Sequence, residues 1–430
     1  MALCKVKLEN RLLQRISPPG EGLRIEGIAF SSDGNLIGTV LSEGNQACLY
    51  QRQKDSHNFE NEPFCILGDG NIVLDYPHDI AFSPDSESEF LAVALRPGPV
   101  VFFQKIPGEL EYNAEPVQVL QGPEVALNYS DGVAFAPPVG DVVAVCDLAG
   151  DKINFYQFNR DSTLPVNPVR PAYTITGAHI NQPDGIAFSR CGRFLACTNH
   201  NENSITVFER SATDSKNRYV FRQKIVDETL IFPHSVQFSP EHAHLLVTCA
   251  GANYINVYHR TSKHEHKHDM ELWSESADQQ LLAGSKQAFN CSNSTNKMEG
   301  GPKGITMSKD FVAFCRPETG IEIYPYEECR QYMDFVLAGE SRIETVLKPN
   351  PELQLVQSEE GIELTSIARG ETHKLNPSSA LIWMLCDGQS NLSDILGNVR
   401  AIYPDVEHID SEVVETIRTL FLSNLLEHVS

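Results

Sequence analysis

A six-fold repeat fills the first three-quarters of this 430-residue chain and restricts what it can fold into. A turn residue, a polar pair, an aliphatic, a spacer, an aromatic and then Ser or Ala recur in order. The copies begin with Glu26-Gly27-Ile28-Ala29-Phe30-Ser31 and Pro77-His78-Asp79-Ile80-Ala81-Phe82-Ser83. They continue with Ser130-Asp131-Gly132-Val133-Ala134-Phe135-Ala136 and Pro183-Asp184-Gly185-Ile186-Ala187-Phe188-Ser189. The last two are Pro233-His234-Ser235-Val236-Gln237-Phe238-Ser239 and Pro302-Lys303-Gly304-Ile305-Thr306-Met307-Ser308. The aromatic or Met positions are 30, 82, 135, 188, 238 and 307, spaced by 52, 53, 53, 50 and 69.

After each copy come a turn and an apolar strand, such as Phe90 to Ala94 or Phe194 to Thr198. A second strand follows that alternates apolar and polar and ends in an aromatic, as in Ile205-Thr206-Val207-Phe208. A looser fourth strand reads at Val117–Leu120, Tyr173–Thr176 and Val220–Ile225. One antiparallel sheet per repeat, six times over, predicts a six-bladed β-propeller. The run from Val6 to Ile16 is placed to supply an outer strand that closes the ring. The blades resemble YVTN and NHL-type propellers over about residues 5–338. That resemblance implies a fold but no single activity, because such propellers host binding modules, lyases and lactonases alike.

The repeat stops after Ala338, and Lys348-Pro349-Asn350-Pro351 reads as a linker. The expected organisation is a propeller over 1–338, a linker over 339–352 and a second domain over 353–430. Short strands read at Leu353–Gln357, Ile362–Ser366 and Thr372–Leu375. A helix capped by Asn376-Pro377 then runs to Asp387-Gly388. Asn391 with Asp394 caps a second helix, and Asp410 or Ser411 a third. The order describes a small α+β, winged-helix-like domain, so the whole chain is expected to be mainly β.

Charge limits what such a chain can bind. Lys and Arg number 34 against 57 Asp and Glu, a formal net charge of −23. Nucleic acid and anionic membrane surfaces both demand clustered cations, so neither is an expected partner. The third helix carries Arg418 as its lone cation, unlike a recognition helix for DNA. There is no apolar run of membrane-spanning length and no signal-like N-terminus. The 11 cysteines are odd in number and never form a CxxC pair, which reads as reduced thiols in a cytoplasm.

Leu375-Asn376-Pro377-Ser378-Ser379-Ala380-Leu381-Ile382-Trp383-Met384-Leu385-Cys386-Asp387-Gly388 closely resembles the PqqD-like peptide chaperones. These are precursor-recognition domains for ribosomally made, post-translationally modified peptides. The likeness spans about residues 350–430 and includes Tyr403-Pro404-Asp405. It implies that a precursor's leader binds as an added strand beside the third strand and against the third helix. Carried onto this chain, the strand edge comprises Glu371, Thr372, His373, Lys374 and Leu375, and the helix face Val414, Ile417, Arg418 and Phe421. Those helix positions also suit a plain core.

A second candidate site lies in the propeller. The residue two before each aliphatic anchor is Glu26, His78, Asp131, Asp184, His234 or Lys303. Equivalent positions of inner strands converge at one end of a propeller axis. Two histidines with carboxylates suit a divalent transition metal, held by His78 and His234, or general acid–base catalysis by the ring. Polar residues here would equally cap inner strands. His259 and the tract His264-Glu265-His266-Lys267-His268-Asp269 lie in the one enlarged gap, ahead of a polar insertion, Ser274 to Lys297, that reads as a solvated loop. Cys146, Cys197, Cys249 and Cys315 recur near equivalent strand ends and read as small buried residues.

The expected function is maturation of a ribosomally synthesised peptide. The C-terminal domain would bind the precursor leader, and the propeller would present the core peptide to a modifying enzyme or act on it in its own channel. Loss of peptide binding in favour of dimer contacts is the remaining alternative.

Overall fold

A computed structural model of the chain describes residues 4–7, 12–20, 24–68, 74–160, 170–211, 218–265, 268–275, 277, 279–282, 298–316, 319–327, 329–330, 333, 346–358, 361–366, 372–404, 406, 409–423 and 425–429. They divide into two compact units, residues 1–329 and 330–430.

Among the described residues the first unit holds six antiparallel sheets around a common axis. The inner strands are Ile25–Phe30, Pro77–Phe82, Ser130–Phe135, Pro183–Phe188, Pro233–Phe238 and Ile305–Met307, one per sequence repeat. Each sheet steps outward from them, as in Ile25–Phe30, Leu36–Leu41, Gln46–Gln51 and Cys65–Leu67. Successive inner strands touch, and the sixth touches the first, so the ring is closed. The fold is a six-bladed β-propeller.

The N-terminus completes two blades. Gln14–Ile16 pairs antiparallel with Gly320–Pro325 as the outer strand of the sixth blade. Its Gln14 side chain also donates to the Phe59 carbonyl at 2.8 Å and accepts from the Phe59 N–H at 2.7 Å, tying the sixth blade to the first. Cys4–Lys7 adds a parallel strand to Gln279–Leu282 of the fifth blade. The part of the Val6–Ile16 run at 8–11 lies outside the described residues.

The enlarged gap is not wholly loop. Tyr254–Glu265 and His268–Trp273 pair as a long hairpin, with Arg260 opposite Trp273 and Glu265 opposite His268. The buried Trp273 anchors the hairpin's end, packing edge-on against Phe194 at 4.9 Å. Residues 266–267 and 283–297 lie outside the described residues.

Blade interfaces are apolar, and the inner strands approach each other closely through glycine. A Cβ on Gly132 would lie 2.2 Å from the Asp184 carbonyl oxygen, and one on Gly185 2.3 Å from that of His234. On Gly304 it would lie 2.6 Å from the Glu26 carbonyl oxygen, and on Gly27 2.7 Å from Asp79 Cα. Glycine is therefore required at these positions for space. Asp79 and Ser235 occupy the corresponding positions of the second and fifth blades.

The second unit contains a three-stranded antiparallel sheet, Leu353–Ser358, Gly361–Ser366 and Thr372–Leu375. Helix α1 (Pro377–Leu385) follows with Asn376 as N-cap, its side chain accepting from the Ser379 N–H at 2.8 Å. A capping box of Asn391 and Asp394 starts α2 (Leu392–Ile402). Helix α3 spans Ile409–Leu422, so Asp410 and Ser411 lie inside its first turn rather than capping it. The Trp383 indole donates to the Leu425 carbonyl at 2.9 Å, which locks α1 to the end of α3. Leu347–Pro349, read in sequence as linker, forms a strand with Leu426–His428. Proline is tolerated there because a two-stranded ribbon has only edges. Among the described residues no helix is long and apolar enough to cross a membrane.

We expect Gly185→Ala to lower propeller stability by about 1–3 kcal/mol through overpacking, whereas Ser235→Ala at the equivalent position of the next blade is near neutral. Thermal melts of the two variants check this; equal melting temperatures would remove the steric account.

Candidate functional site

The six sequence-predicted ring residues do meet. In five blades the pairing register slips where the ring residue sits, between Ile25 and Ile28, Pro77 and Asp79, Ser130 and Val133, Pro183 and Ile186, and Pro233 and Val236. Such bulges re-aim side chains, here towards the axis. All six ring residues are buried. The His78 and His234 rings, from opposite blades, lie 4.9 Å apart, so the ring closes that end of the channel.

The closure is an ion-pair network. A Glu26 carboxylate oxygen lies 3.0 Å from His234 Nε2 and 3.8 Å from Lys303 Nζ, and Glu26 also contacts Arg24. Burial opposes its charge, yet Lys303, Arg24 and His234 hold its carboxyl well below the usual range. Arg96 donates to His78 Nε2 at 2.7 Å and to Asp131 Oδ1 at 2.9 Å. Arginine only donates, so His78 Nε2 is an acceptor and the proton sits on Nδ1, towards Asp131. Burial and the Arg96 guanidinium push His78 well below its ordinary pKa, which keeps the imidazole neutral. Burial and the charge of Asp184 push Asp131 up to about 7. Asp184 is also buried but is held low by His234 and His200.

Four of the partners were not singled out from sequence. Arg96 and His200 occupy the same place, one residue beyond the second strands Phe90–Leu95 and Phe194–Asn199. His200 Nδ1 lies 3.0 Å from Asp184, and its Nε2 lies 3.4 Å from Glu299. Glu299 in turn contacts Lys303, four residues on, and Arg24 at 3.7 Å.

Ligand atoms of Glu26, His78 and His234, and of His78, Asp131 and Asp184, lie within 4.8 Å of one another. Glu26 and Asp184 also keep oxygens without a hydrogen bond. Two observations nevertheless make this donor set a poor fit for a divalent metal. The Nε2 lone pair of His78 is engaged by Arg96. The carboxylates Glu26, Asp131, Asp184 and Glu299 are already matched by Arg24, Arg96, His200 and Lys303, so a dication would add uncompensated charge. The cavity between the ring residues is about 10 Å³, close to the least that holds one water.

The other half of the channel is open. A cavity of about 410 Å³ is lined by all six inner strands, from Ile28, Ile80, Val133, Ile186 and Ile305 outward. Asp79 and Ser235 line both this cavity and the ring cavity. The four repeated cysteines are buried free thiols, and burial pushes Cys249 up to about 12, which makes it inert. The side chains of the histidine tract at 264–269 lie outside the described residues.

In the second unit Thr372–Leu375 pairs with Gly361–Ser366 on one side and with no described strand on the other. Thr372 and Lys374 are exposed, His373 is half-buried and Leu375 is buried. Lys374 Nζ pairs with Glu363 at 3.0 Å across the strands. Val414 on α3 is half-buried, while Ile417 and Phe421 are buried in the core. Glu371 and the side chain of Arg418 lie outside the described residues.

Residues 358–426 match the model for "Coenzyme PQQ synthesis protein D (PqqD)". The chain joins a β-propeller to a PqqD-like domain. Residues 167–272 match the "Lactonase, 7-bladed beta-propeller" model, a stretch that covers the fourth and much of the fifth of the six blades here. Similar solved structures include the Cps50 (Swd1) β-propeller domain of Myceliophteria thermophila, 13% identical, with 70% of this chain and 83% of that chain covered at a TM-score of 0.46. A putative 6-phosphogluconolactonase from Bacteroides uniformis is 10% identical, with 85% and 86% covered at a TM-score of 0.47. No curated protein matches by sequence.

Two outcomes follow for the ring. Burial opposes charge on His200, but Asp184 and Glu299 raise its pKa to about 9. A raised folded pKa means that its stabilisation is complete below the unfolded value, about 6.5, and is lost as pH rises through about 9. Denaturant midpoints at acid and alkaline pH should therefore diverge in the wild type and converge in His200→Gln. Elemental analysis should return no stoichiometric transition metal. One equivalent that disappears in His78→Ala plus His234→Ala would overturn the charge argument.

Proposed function

We propose that this protein is a maturation factor for a ribosomally synthesised, post-translationally modified peptide. Its PqqD-like domain captures the precursor's leader, and its propeller receives the core peptide that follows. The observation that carries this reading is the bare edge of Thr372–Leu375 in a domain that matches PqqD. An edge strand offers a row of backbone donors and acceptors, so an extended leader can join the sheet as a fourth strand. Side chains alternate along it, with Thr372 and Lys374 exposed and His373 and Leu375 turned inward, which sets the register of an added strand. Among the described side chains of the expected α3 face, the half-buried Val414 is the one that a leader could still reach, since Ile417 and Phe421 belong to the core.

On this reading the propeller is a presenting scaffold that hands the core peptide to a modifying enzyme. The alternative, catalysis within the channel, draws support from Asp131 and Asp184, two neighbouring carboxylates whose environments push their pKa values apart. The scaffold reading is favoured because the ring cavity is too small for a peptide group.

Hydrogen exchange on the full chain tests the leader site. The probes are synthetic peptides for the short open reading frames that adjoin the gene. At least one should slow exchange across Thr372–Leu375. Binding that protects other segments and leaves that strand unchanged would refute the edge-strand reading, as would the absence of binding by every such peptide.

A further inference from the structure

The open half of the propeller channel ends on a carboxylate that the ring does not use. Asp79 follows His78, at the position where four other blades carry glycine. Its Oδ2 accepts the Val133 N–H of the next blade at 3.0 Å, which fixes the side chain between the ring and the wide cavity of about 410 Å³. Its neighbours on the inner strands include Ser235, Ala134 and Gln237, which are small or neutral, while the charged lining residues Asp33, Arg190 and Lys309 lie in the turns beyond those strands. Among the described residues no cation pairs with Asp79, in contrast to Glu26, Asp131 and Asp184 of the ring.

We propose that this half-channel is a binding site for an organic cation, an alkylammonium group whose head pairs with Asp79 and whose chain extends into the cavity. The half-channel is closed at one end by the packed ring, so an occupant meets that end with its tip. A lone carboxylate at the closed end selects positive charge at the tip. Burial, followed by the charge of Asp184, pushes the Asp79 carboxyl up to about 7, so an occupant that brings its own positive charge relieves a cost that the protein alone bears. The cation could be a free amine or the lysine side chain of a peptide. The site stands independently of the leader-binding reading, since it requires neither the PqqD-like domain nor a precursor.

Calorimetry on the full chain decides the matter with defined probes: n-butylammonium chloride for the free amine and Nα-acetyl-lysine methylamide for the peptide-borne one. Butanol and butyrate serve as neutral and anionic controls. Binding of one or both ammonium probes, with neither control bound, is expected. The stronger of the two identifies the source. Asp79→Asn should weaken it by about tenfold or more, the loss of one charged pair. Gln237→Phe fills the bore and leaves Asp79 intact, so it should also abolish binding, which guards against an Asp79 variant that merely misfolds. Equal binding of butanol, undiminished binding by both variants, or no ammonium binding to the wild type overturns the proposal. Failure here leaves the leader experiment untouched, and failure there leaves this site standing.

Discussion

Backbone contact between neighbouring inner strands is the constraint on which the propeller depends. At Gly27, Gly132, Gly185 and Gly304 the next blade comes so near that a single carbon would collide with its backbone. Close approach brings carbonyls of adjacent ring residues within reach of side chains one strand out. Thr198 Oγ1 donates to the His234 carbonyl at 3.0 Å, and Thr248 Oγ1 donates to that of Lys303. The strands are therefore fixed in height as well as in distance. Six ring side chains then reach the axis at one level, and the channel is forced to close there.

Closure by charged groups has an energetic consequence. Each charge in the ring is buried, so its desolvation is compensated only by its partners. Removing Glu26 would leave Arg24 and Lys303 facing each other, and removing Arg96 would leave Asp131 and Asp184 to repel. Such a network holds together as a set. It also argues against a metal at these donors, since the guanidinium groups of Arg96 and Arg24 engage the His78 lone pair and the Glu26 carboxylate.

Those guanidinium groups mark where sequence reading stops. The inner strands and the ring positions were legible because each rests on a spacing that recurs with every blade, whereas the closing N-terminal strand was expected from its position alone. The second unit's caps at Asn376 and Asn391 were legible because capping is local chemistry. Arg96 and His200 were not, because the residue after the second strand is Ser42, Arg96, Leu148, His200 or Ala250 and carries no repeated signal. Asp79 was visible only as a breach of the glycine pattern. Leu347–Pro349 was misread because a proline in a polar stretch suggests a breaker, while its strand partner Leu426–His428 lies far away in sequence. A tertiary pairing of that kind leaves no local trace.

The two proposed sites divide recognition in a physically sensible way. A strand edge binds through backbone groups that every peptide possesses, so its selectivity comes from a few side-chain contacts and its affinity from length. A half-channel ending on one carboxylate would do the reverse, reading a single charged group and binding weakly. A single charged pair is worth about 1.5–3 kcal/mol, far less than a tight complex needs. Weak binding is sufficient when the ligand is already tethered, because a short flexible link holds the second group at an effective concentration of about a millimolar. On the proposed reading, fusing a leader-capturing domain to a propeller would let a low-affinity pocket discriminate among residues of one captured chain, which neither part could do in isolation.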